Sequence, residues 1–339
     1  MLKEAIQAIL RKEDLSRATM YGLGEEILRN ANPIQIGAFL ALLNAKGETA
    51  EELIGFATYL LENCIRLNLP MDCLDIAGTG GDGSLSVNIS TGSALLVAAC
   101  GVPVAKHGNR SVSSQCGSAD VLEALGIPID MSPDQVGGSI SRVGIGFIFA
   151  PKYHLALSSV ATTRRSLGIL TLFNLLAPLL NPARPKFALI GIGQEKYVNI
   201  IANCASKLGF ERALIFHGSG LDELAPIGPI KAIEVRGEIL NEMSIDPQAL
   251  GFKLCARSDL QGGNPVKNAV ILTEALSGTP GPISDALILN AGVALYIYGK
   301  CPSIPEGIEL ARKVHAEGLG LKVLESWIAL NQVYEGVAI

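Results

Sequence analysis

The segment from Leu74 to Ser118 constrains the fold of this chain more than any other. It reads LDIAGTGGDGSLSVNISTGSALLVAACGVPVAKHGNRSVSSQCGS. The apolar run 74–77 predicts a strand, and a glycine-rich loop and a small-residue helix over about 92–100 follow it. The run 102–105 predicts a second strand, which leads into the basic loop 106–110. The order of strand, glycine loop, helix and strand predicts an α/β unit with a phosphate-binding edge.

The residue types in this segment suit an anion. Glycine lets backbone N–H groups approach a ligand closely and adopts positive φ without strain. The helix N-terminus adds free N–H donors and partial positive charge, and Lys106 and Arg110 add full charges. Asp82 would repel a phosphate, so it suits sugar hydroxyls or a cation. The alternative is a surface turn, but the almost wholly polar run 106–118 argues against it. The loop glycines are Gly78, Gly80, Gly81 and Gly83.

The remaining chain divides into a helical part and an α/β part. Residues 1–66 show helical spacing throughout, whereas from Leu74 short apolar strands alternate with helices, which predicts an α/β fold with a mostly parallel central sheet. Further strands are predicted at 145–149, 187–191, 213–217 and 232–235. Two helices are predicted within 153–180, and later ones at 264–276, 284–298, 305–316 and 318–331. N-caps are predicted at Ser16, Asn32, Thr49, Ser118, Ser132 and Ser284.

Composition limits the partners and the location. The formal net charge is −5 and the pI is about 5.5, so we expect neither nucleic acid nor an anionic membrane as a partner. The longest apolar run, 94–105, is too short to span a bilayer. The seven cysteines are scattered and never in CxxC spacing, which is typical of a reducing compartment. With no signal-peptide pattern at the N-terminus, the expected location is cytoplasmic.

A pair of acidic residues, Asp222 and Glu223, follows the strand predicted at 213–217. Ligands gather at the carboxyl ends of strands in open α/β sheets, so we expect this pair to lie beside the glycine loop and Lys106. Carboxylates in that setting suit Mg²⁺, which keeps several waters and bridges substrate phosphates. An isolated acidic pair is more often a solvated turn or a helix cap. Here the pair is expected beside two loops of the phosphate-binding type, the glycine loop and the Lys106 loop, which favours a metal site.

Three further residues are candidates for chemistry. Arg164 lies on a predicted helix and could clamp a carboxylate with two parallel hydrogen bonds; a solvated arginine on an amphipathic helix fits the pattern equally well. His107 and His154 could act as bases or could be structural. No Ser-His-Asp or Cys-His motif and no pair of metal-binding histidines is present, which disfavours covalent catalysis.

The motifs GTGGDG, NIST, KHGNRSVSS, GSAD and GLDE, in this order, resemble those of the anthranilate phosphoribosyltransferases, and the similarity covers nearly the whole chain. The resemblance implies a helical domain at 1–67, with helices from about 165–181 packing into it. It also implies an α/β domain at 68–339 of the nucleoside phosphorylase/phosphoribosyltransferase class, and a homodimer formed through the helical domains.

The implied reaction transfers the phosphoribosyl group of 5-phosphoribosyl-1-pyrophosphate (PRPP) to the amine of anthranilate and releases pyrophosphate. Two Mg²⁺ ions would be held by Ser90, Asp222 and Glu223. Lys106, Asn109 and Arg164 would be catalytic, and Asn109 and Arg164 would meet anthranilate near His107 and Pro178. PRPP would be held by Gly78, Gly81, Asp82, Ser86, Asn88, Ser90, Thr91, Lys106 and Ser118. The remaining implied substrate contacts are Ile89, Gly108, Arg110, Ser111, Val112, Ser113 and Ser114.

The chain departs from the family pattern at four positions. Ser86 stands for a usual threonine and keeps the hydroxyl. The run Tyr153-His154-Leu155 stands where a His-His-Pro run is common, Leu170 replaces an arginine, and Ala177 replaces a glycine. Acceptor preference and rate are therefore the properties most open to change. Two alternatives are a pyrimidine-type nucleoside phosphorylase and a non-catalytic relative that binds nucleic acid or a regulatory partner. The lysine loop KHGNRSVSS differs from that of the phosphorylases. The intact KHGNR motif, the acidic pair and the net charge of −5 argue against the non-catalytic relative.

Overall fold

A seven-stranded sheet organises the chain, in the order β3-β2-β1-β4-β5-β6-β7. The computed structural model describes residues 1–29, 32–111 and 115–334. β1 to β5 are parallel, and β6 and β7 are antiparallel, so the prediction of a mostly parallel sheet is confirmed. The strands are β1 (Leu74–Gly78), β2 (Val104–Gly108), β3 (Ile145–Phe149), β4 (Phe187–Gly191), β5 (Arg212–His217), β6 (Ile230–Arg236) and β7 (Ile239–Ile245).

The strand order reverses beside β1, because β2 pairs on one side of it and β4 on the other. Such a reversal opens a crevice outside the carboxyl ends of the strands, where ligands of open α/β sheets bind. Gly78 and Gly191 are paired in the register of β1 and β4 and are the last residues of the two strands. The floor of the crevice therefore carries no side chains at this point.

The prediction for β2 was wrong at both ends. The strand covers 104–108 rather than 102–105, with Lys106 paired to Phe147 and Gly108 to Phe149. Lys106 and His107 therefore belong to the sheet and not to a loop, and both side chains are buried. Lys106 can occupy a central strand because its side chain reaches other polar groups at the end of the sheet. β7 was not predicted, since most of its residues are exposed.

The N-terminal part is helical, as predicted, and its caps explain where the helices begin. The Asn32 side chain accepts a hydrogen bond from Ile34 N–H at 2.8 Å, and Thr49 forms a capping box with Glu52. The Ser16 hydroxyl accepts from Thr19 N–H at 3.1 Å. The four helices are α1 (Leu2–Leu10), α2 (Arg17–Arg29), α3 (Pro33–Lys46) and α4 (Ala50–Glu62).

Two predicted caps are wrong. Ser118 is the first residue of its helix, and Gly117 precedes it as the cap, with its N–H bonded to the Asp120 carboxylate. Ser284 lies within a helix that begins at Pro282, and its hydroxyl donates to Thr279 O. The remaining helices are α5 (Ile89–Ala99), α6 (Ser118–Ala124), α7 (Pro133–Val143), α8 (Ala150–Tyr153), α9 (Ser158–Leu167), α10 (Leu172–Leu176), α11 (Val198–Lys207), α12 (Pro265–Leu276), α13 (Pro282–Tyr298), α14 (Ile304–Ala316) and α15 (Leu319–Tyr334).

Two large apolar cores cover the two faces of the sheet. α13 is buried over almost its whole length and packs with α5 on one face. The other core contains α1 to α4, the segment 172–180 and residues of β4 and β5. Because this second core is shared, the boundary at residue 67 stays a prediction. Within the described ranges, no helix combines the length and the apolar character needed to cross a membrane.

Candidate active site

Asp222 lies at the crevice between β1 and β4. Its Oδ2 accepts a hydrogen bond from Gly80 N–H at 2.7 Å. A Cβ on Gly78 would lie 2.3 Å from the same oxygen, and a Cβ on Gly191 would lie 1.7 Å from Asp222 O. The missing side chains at the ends of both strands therefore make the space that Asp222 occupies. The structure thus brings the glycine loop and the acidic pair together, although 142 positions separate Gly80 from Asp222.

The second carboxylate of the pair reaches the start of α5. Glu223 Oε1 accepts a hydrogen bond from Ser90 N–H at 3.1 Å. This N–H is one of those at the helix N-terminus that have no acceptor within the helix. Lys106 Nζ donates to Ser90 Oγ at 3.3 Å and to Ile76 O at 2.8 Å. Ser90, Lys106 and Glu223 therefore form one cluster. Ser90 lies on α5, Lys106 on β2, and Glu223 in the loop that follows β5.

Like charges crowd this cluster. Burial and the nearby Asp82 carboxylate raise the pKa of Asp222, and burial and Asp222 raise the pKa of Glu223 well above its usual range. Burial lowers the pKa of Lys106, against the attraction of Asp75. Negative groups outnumber the single lysine, so the ionised cluster is unfavourable by itself and would be stabilised by a cation.

The cluster offers oxygen atoms, which are the ligand type that Mg²⁺ prefers. Over the described residues, no three His, Cys, Asp or Glu side chains converge on one metal-binding point. Two carboxylates and the Ser90 hydroxyl are oxygen donors, and Mg²⁺ is commonly held by one or two carboxylates together with waters and substrate phosphates. Ser90, Asp222 and Glu223 therefore supply oxygen donors of the kind that Mg²⁺ prefers, and their role as metal ligands stays a prediction.

Asp82 stabilises the glycine loop from inside. Its carboxylate accepts from Ser84 N–H at 2.9 Å and from Asp222 N–H at 3.4 Å. Gly80, Gly81 and Gly83 all have positive φ, which glycine adopts without strain. The acid that would repel a phosphate is thus directed towards its own loop and Asp222.

The start of α5 contains one buried hydroxyl without a partner. The Thr91 hydroxyl is buried and has no hydrogen-bond partner among the described residues, and Asn88 caps the helix without a side-chain capping bond. Ile89 is a buried apolar residue. Ser86 lies before the helix, where its hydroxyl accepts from Ser84 Oγ at 3.1 Å. The first N–H groups of α5 already have acceptors within the protein, which are Val87 O, Asn88 O and Glu223 Oε1, so an anion at this helix end would take the place of one of these acceptors.

The loop after β2 is closed by carboxylates of α6. Arg110 binds Glu123 at 2.6 Å and Asp120 at 2.9 Å, so its charge is already balanced in this structure. Ser111 N–H donates to Asp120 at 3.0 Å. Ser118 Oγ donates to Asn109 O at 3.3 Å and touches Gly108, where a Cβ would lie 2.2 Å from it. The predicted contacts Val112, Ser113 and Ser114 lie outside the described residues.

Arg164 lies on α9, half-buried, with its guanidinium carbon 4.7 Å from the centre of the Phe173 ring. Burial lowers its pKa below the usual arginine value. It forms no ion pair within the part of the chain that the structure describes. A cation that stacks on an aromatic ring and lacks a carboxylate partner is suited to an anionic ligand.

Two histidines bind the turn that contains Pro178. His107 Nδ1 lies 3.2 Å from Ala177 O, and His154 Nε2 lies 2.8 Å from Leu180 O. Their ring centres are 5.7 Å apart, and burial lowers the pKa of both rings, to about 3 for His107. Both are therefore neutral near pH 7, and they hold the 177–180 turn against β2.

The departures Leu155 and Leu170 have different surroundings. Leu155 is 59% exposed. Leu170 packs on the glycine loop, because a Cβ on Gly81 would lie 2.7 Å from Leu170 Cδ2. The segment that follows Arg164 therefore contacts the loop that is expected to bind PRPP.

Sequence reasoning missed two buried polar residues that hold the site. Asn290 of α13 accepts from Leu224 N–H at 3.3 Å and donates to Leu224 O at 2.6 Å, and so fixes the residue after Glu223. Asp75 of β1 accepts from His107 N–H at 3.2 Å and from Asn181 Nδ2 at 2.8 Å. The available signal was an amide or carboxylate inside an apolar run, which needs buried partners.

Comparisons with known proteins agree with this arrangement. A glycosyl transferase family, helical bundle domain, matches residues 3–64, and a glycosyl transferase family, a/b domain, matches residues 71–321. An anthranilate phosphoribosyltransferase of Chlamydia caviae is 46% identical over 98% of this chain and 97% of its own length. The crystal structure of anthranilate phosphoribosyltransferase from Thermus thermophilus has a TM-score of 0.90 at 38% identity and covers 96% of this chain and 98% of its own.

A further solved structure carries ligands. The anthranilate phosphoribosyltransferase from Saccharomyces cerevisiae, in complex with PRPP and Mg, has a TM-score of 0.90 at 27% identity and covers 98% of both chains. Fold, site geometry and near full-length similarity lead to one assignment. The chain belongs to the anthranilate phosphoribosyltransferase family.

Proposed function

We propose that the cluster at the carboxyl ends of β1, β2 and β5 carries out the reaction of this family. The chain transfers the 5-phosphoribosyl group of PRPP to the amine of anthranilate, which gives N-(5-phosphoribosyl)anthranilate and pyrophosphate in tryptophan biosynthesis. The observation that carries the proposal is the joining of Gly80, Ser90 and Lys106 to the Asp222–Glu223 pair. These groups combine anion donors with cation ligands at one point.

The reaction breaks the bond between C1 of the ribose and the pyrophosphate oxygen, and pyrophosphate leaves with the electron pair. The anthranilate nitrogen then bonds to C1 and releases one proton to the departing pyrophosphate or to water. Backbone N–H groups of the glycine loop and of the α5 N-terminus, with Lys106, stabilise the charge that develops on the leaving group. Ser90, Asp222 and Glu223 would hold Mg²⁺, which would supply further positive charge to stabilise the leaving pyrophosphate. We propose two ions per subunit.

On the acceptor side, Arg164 binds the carboxylate of anthranilate through paired hydrogen bonds, and Asn109 orients the amine. The 177–180 turn, which His107 and His154 hold, places Pro178 beside the ring of the acceptor. No strong base is needed, because the amine is already nucleophilic and loses its proton only after it bonds to C1. Positioning of the two substrates supplies the remaining effect.

Two further proposals concern the oligomeric state and the cellular location of the protein. The homodimer through the helical domains is supported by exposed apolar side chains on α1 and α3, with Leu10 62% and Ile34 82% exposed. Light scattering should then give twice the chain mass of 35.6 kDa. A cytoplasmic location is supported by the seven cysteines, all of which are free thiols.

The proposal is tested by the loss of anthranilate fluorescence in the presence of PRPP and Mg²⁺. We expect turnover that requires all three components. A screen of related aromatic amines measures which acceptors are used by a site that carries Leu155, Leu170 and Ala177. Phosphorolysis of a pyrimidine nucleoside, or salt-sensitive DNA binding without turnover, would support the two alternatives instead. The relatives reported above are all named anthranilate phosphoribosyltransferases, which favours the proposed reaction over both alternatives.

A further inference from the structure

The segment that precedes α12 pairs with the segment that precedes α5. Val87 N–H donates to Leu260 O at 2.9 Å, and Gly262 N–H donates to Leu85 O at 2.9 Å. This short ladder places the start of α12 beside the start of α5, although neither segment belongs to a named strand of the sheet. Asn268, in the second turn of α12, is 1% exposed and faces this junction.

The Asn268 side chain connects to Asn88 through a chain of hydrogen bonds. Gly263 N–H donates to Asn268 Oδ1 at 2.7 Å, and Asn268 Nδ2 donates to Asn88 Oδ1 at 2.9 Å. Asn88 Nδ2 then donates to Cys116 O at 3.1 Å. Asn88 thus receives a bond from α12 and gives one to the turn before α6.

The two ends of this chain fix its direction. A backbone N–H can only donate and a backbone carbonyl can only accept, so Gly263 and Cys116 together determine which way both amide groups point. In the reverse orientation, two N–H groups would meet at one end and two oxygens at the other. Asn268 is also held in place, since a Cβ on Gly262 would lie 2.6 Å from its Oδ1.

We propose that Asn268 is a positioning residue for PRPP, which acts by fixing the orientation of the Asn88 amide. This inference rests on the proposed function, in which Asn88 contacts PRPP. With its oxygen bound to Asn268 and one N–H bound to Cys116, Asn88 keeps one N–H for substrate. A phosphate or sugar oxygen accepts that donor, whereas a reversed amide would present an oxygen and repel the anion. Asn268 itself touches no substrate in this account.

The test is a double-mutant cycle of Asn268→Asp and Asn88→Ala, measured as the PRPP dissociation constant by calorimetry with Mg²⁺ and without acceptor. Asn268→Asp keeps the acceptor for Gly263 but replaces the donor to Asn88 by an oxygen. We expect it to weaken PRPP binding about tenfold, the effect of one hydrogen bond. In the Asn88→Ala background, Asn268→Asp should change the PRPP dissociation constant less than twofold. The KM for anthranilate should not change.

Thermal unfolding shows whether each variant is folded, and Asn268→Ala provides a variant without a new charge; it should behave as Asn268→Asp does in the cycle. Asn331→Asp is the matched control, because Asn331 is also 1% exposed but lies on α15. It should lower stability and leave PRPP affinity unchanged.

Equal effects of Asn268→Asp in both backgrounds, or no effect on PRPP affinity, would overturn this inference alone. An unchanged affinity in Asn88→Ala would remove Asn88 from the proposed substrate site and overturn the inference with it.

Discussion

Gly78→Ala should damage the active site through one added methyl group. The Cβ of alanine would lie 2.3 Å from Asp222 Oδ2, where a tolerable contact needs more than 3.0 Å. The Asp222 carboxylate must therefore move by about 1 Å, and a displacement of this size can cost on the order of 100-fold in rate. The movement also weakens the bond from Gly80 N–H to Asp222, which holds the glycine loop.

The assay is steady-state turnover of PRPP and anthranilate over a range of Mg²⁺ concentrations. We expect kcat/KM to fall about 100-fold, and half-maximal activity to require more Mg²⁺. Gly281→Ala is the matched control, because Gly281 has extended backbone and open space around its Cβ position. Wild-type activity and Mg²⁺ dependence in Gly78→Ala would refute the argument that the position of Asp222 is critical.

Three further predictions follow from the site. Arg164→Ala should raise the KM for anthranilate about 10- to 100-fold, the value of a charged hydrogen bond, and leave the KM for PRPP unchanged; an unchanged anthranilate KM would remove its assigned role. Leu170→Ala should raise the KM for PRPP about fivefold through lost packing on Gly81, and Leu170→Met should restore it; equal PRPP KM values in all three proteins would show that the contact is unimportant. Because burial lowers the pKa of His107 to about 3 from 6.5, the unfolded state binds the proton first, and the contribution of His107 to stability should fall by about 1.4 kcal/mol per pH unit below pH 6.5. Urea unfolding between pH 7 and 4.5 should show a shallower dependence in His107→Asn; parallel curves would contradict the assignment. The buried carboxyl groups of Asp75, Asp222 and Glu223 act in the opposite direction, because their pKa values are raised and the folded state binds their protons first. The difference between the two proteins is therefore the quantity to compare.

The apolar strands were predictable because parallel strands buried on both faces read as continuous hydrophobic runs. β1, β3 and β4 agree with their predicted ranges to within one residue. β2 was misplaced because Lys106 and His107 are polar in type but buried in fact. β7 was missed because an edge strand with exposed side chains carries no clear apolar pattern.

The parts of the site and their common edge of the sheet were predictable from residue types and strand ends, but the individual hydrogen bonds between them were not. Glycines, a lysine and an acidic pair each indicate an anion or cation site locally. The bond from Gly80 to Asp222 depends on the pairing of β1 with β4 and β4 with β5, and this order of strands is not readable from spacing. The roles of Asn268 and Asn290 depend in the same way on which elements pack together.

The central claim is that the Glu223 carboxylate serves the reaction and not the stability of the fold. Glu223→Gln removes one of several crowded negative charges while keeping size and shape, so the protein without ligands should be as stable as wild type or more stable. Its kcat/KM should fall by more than about 100-fold, because several kcal/mol of charge stabilisation at the metal are lost. The direct measurement is Tm together with Mg²⁺-dependent turnover in this variant. An unchanged or raised Tm with lost turnover supports the account, whereas a lowered Tm with wild-type turnover contradicts it.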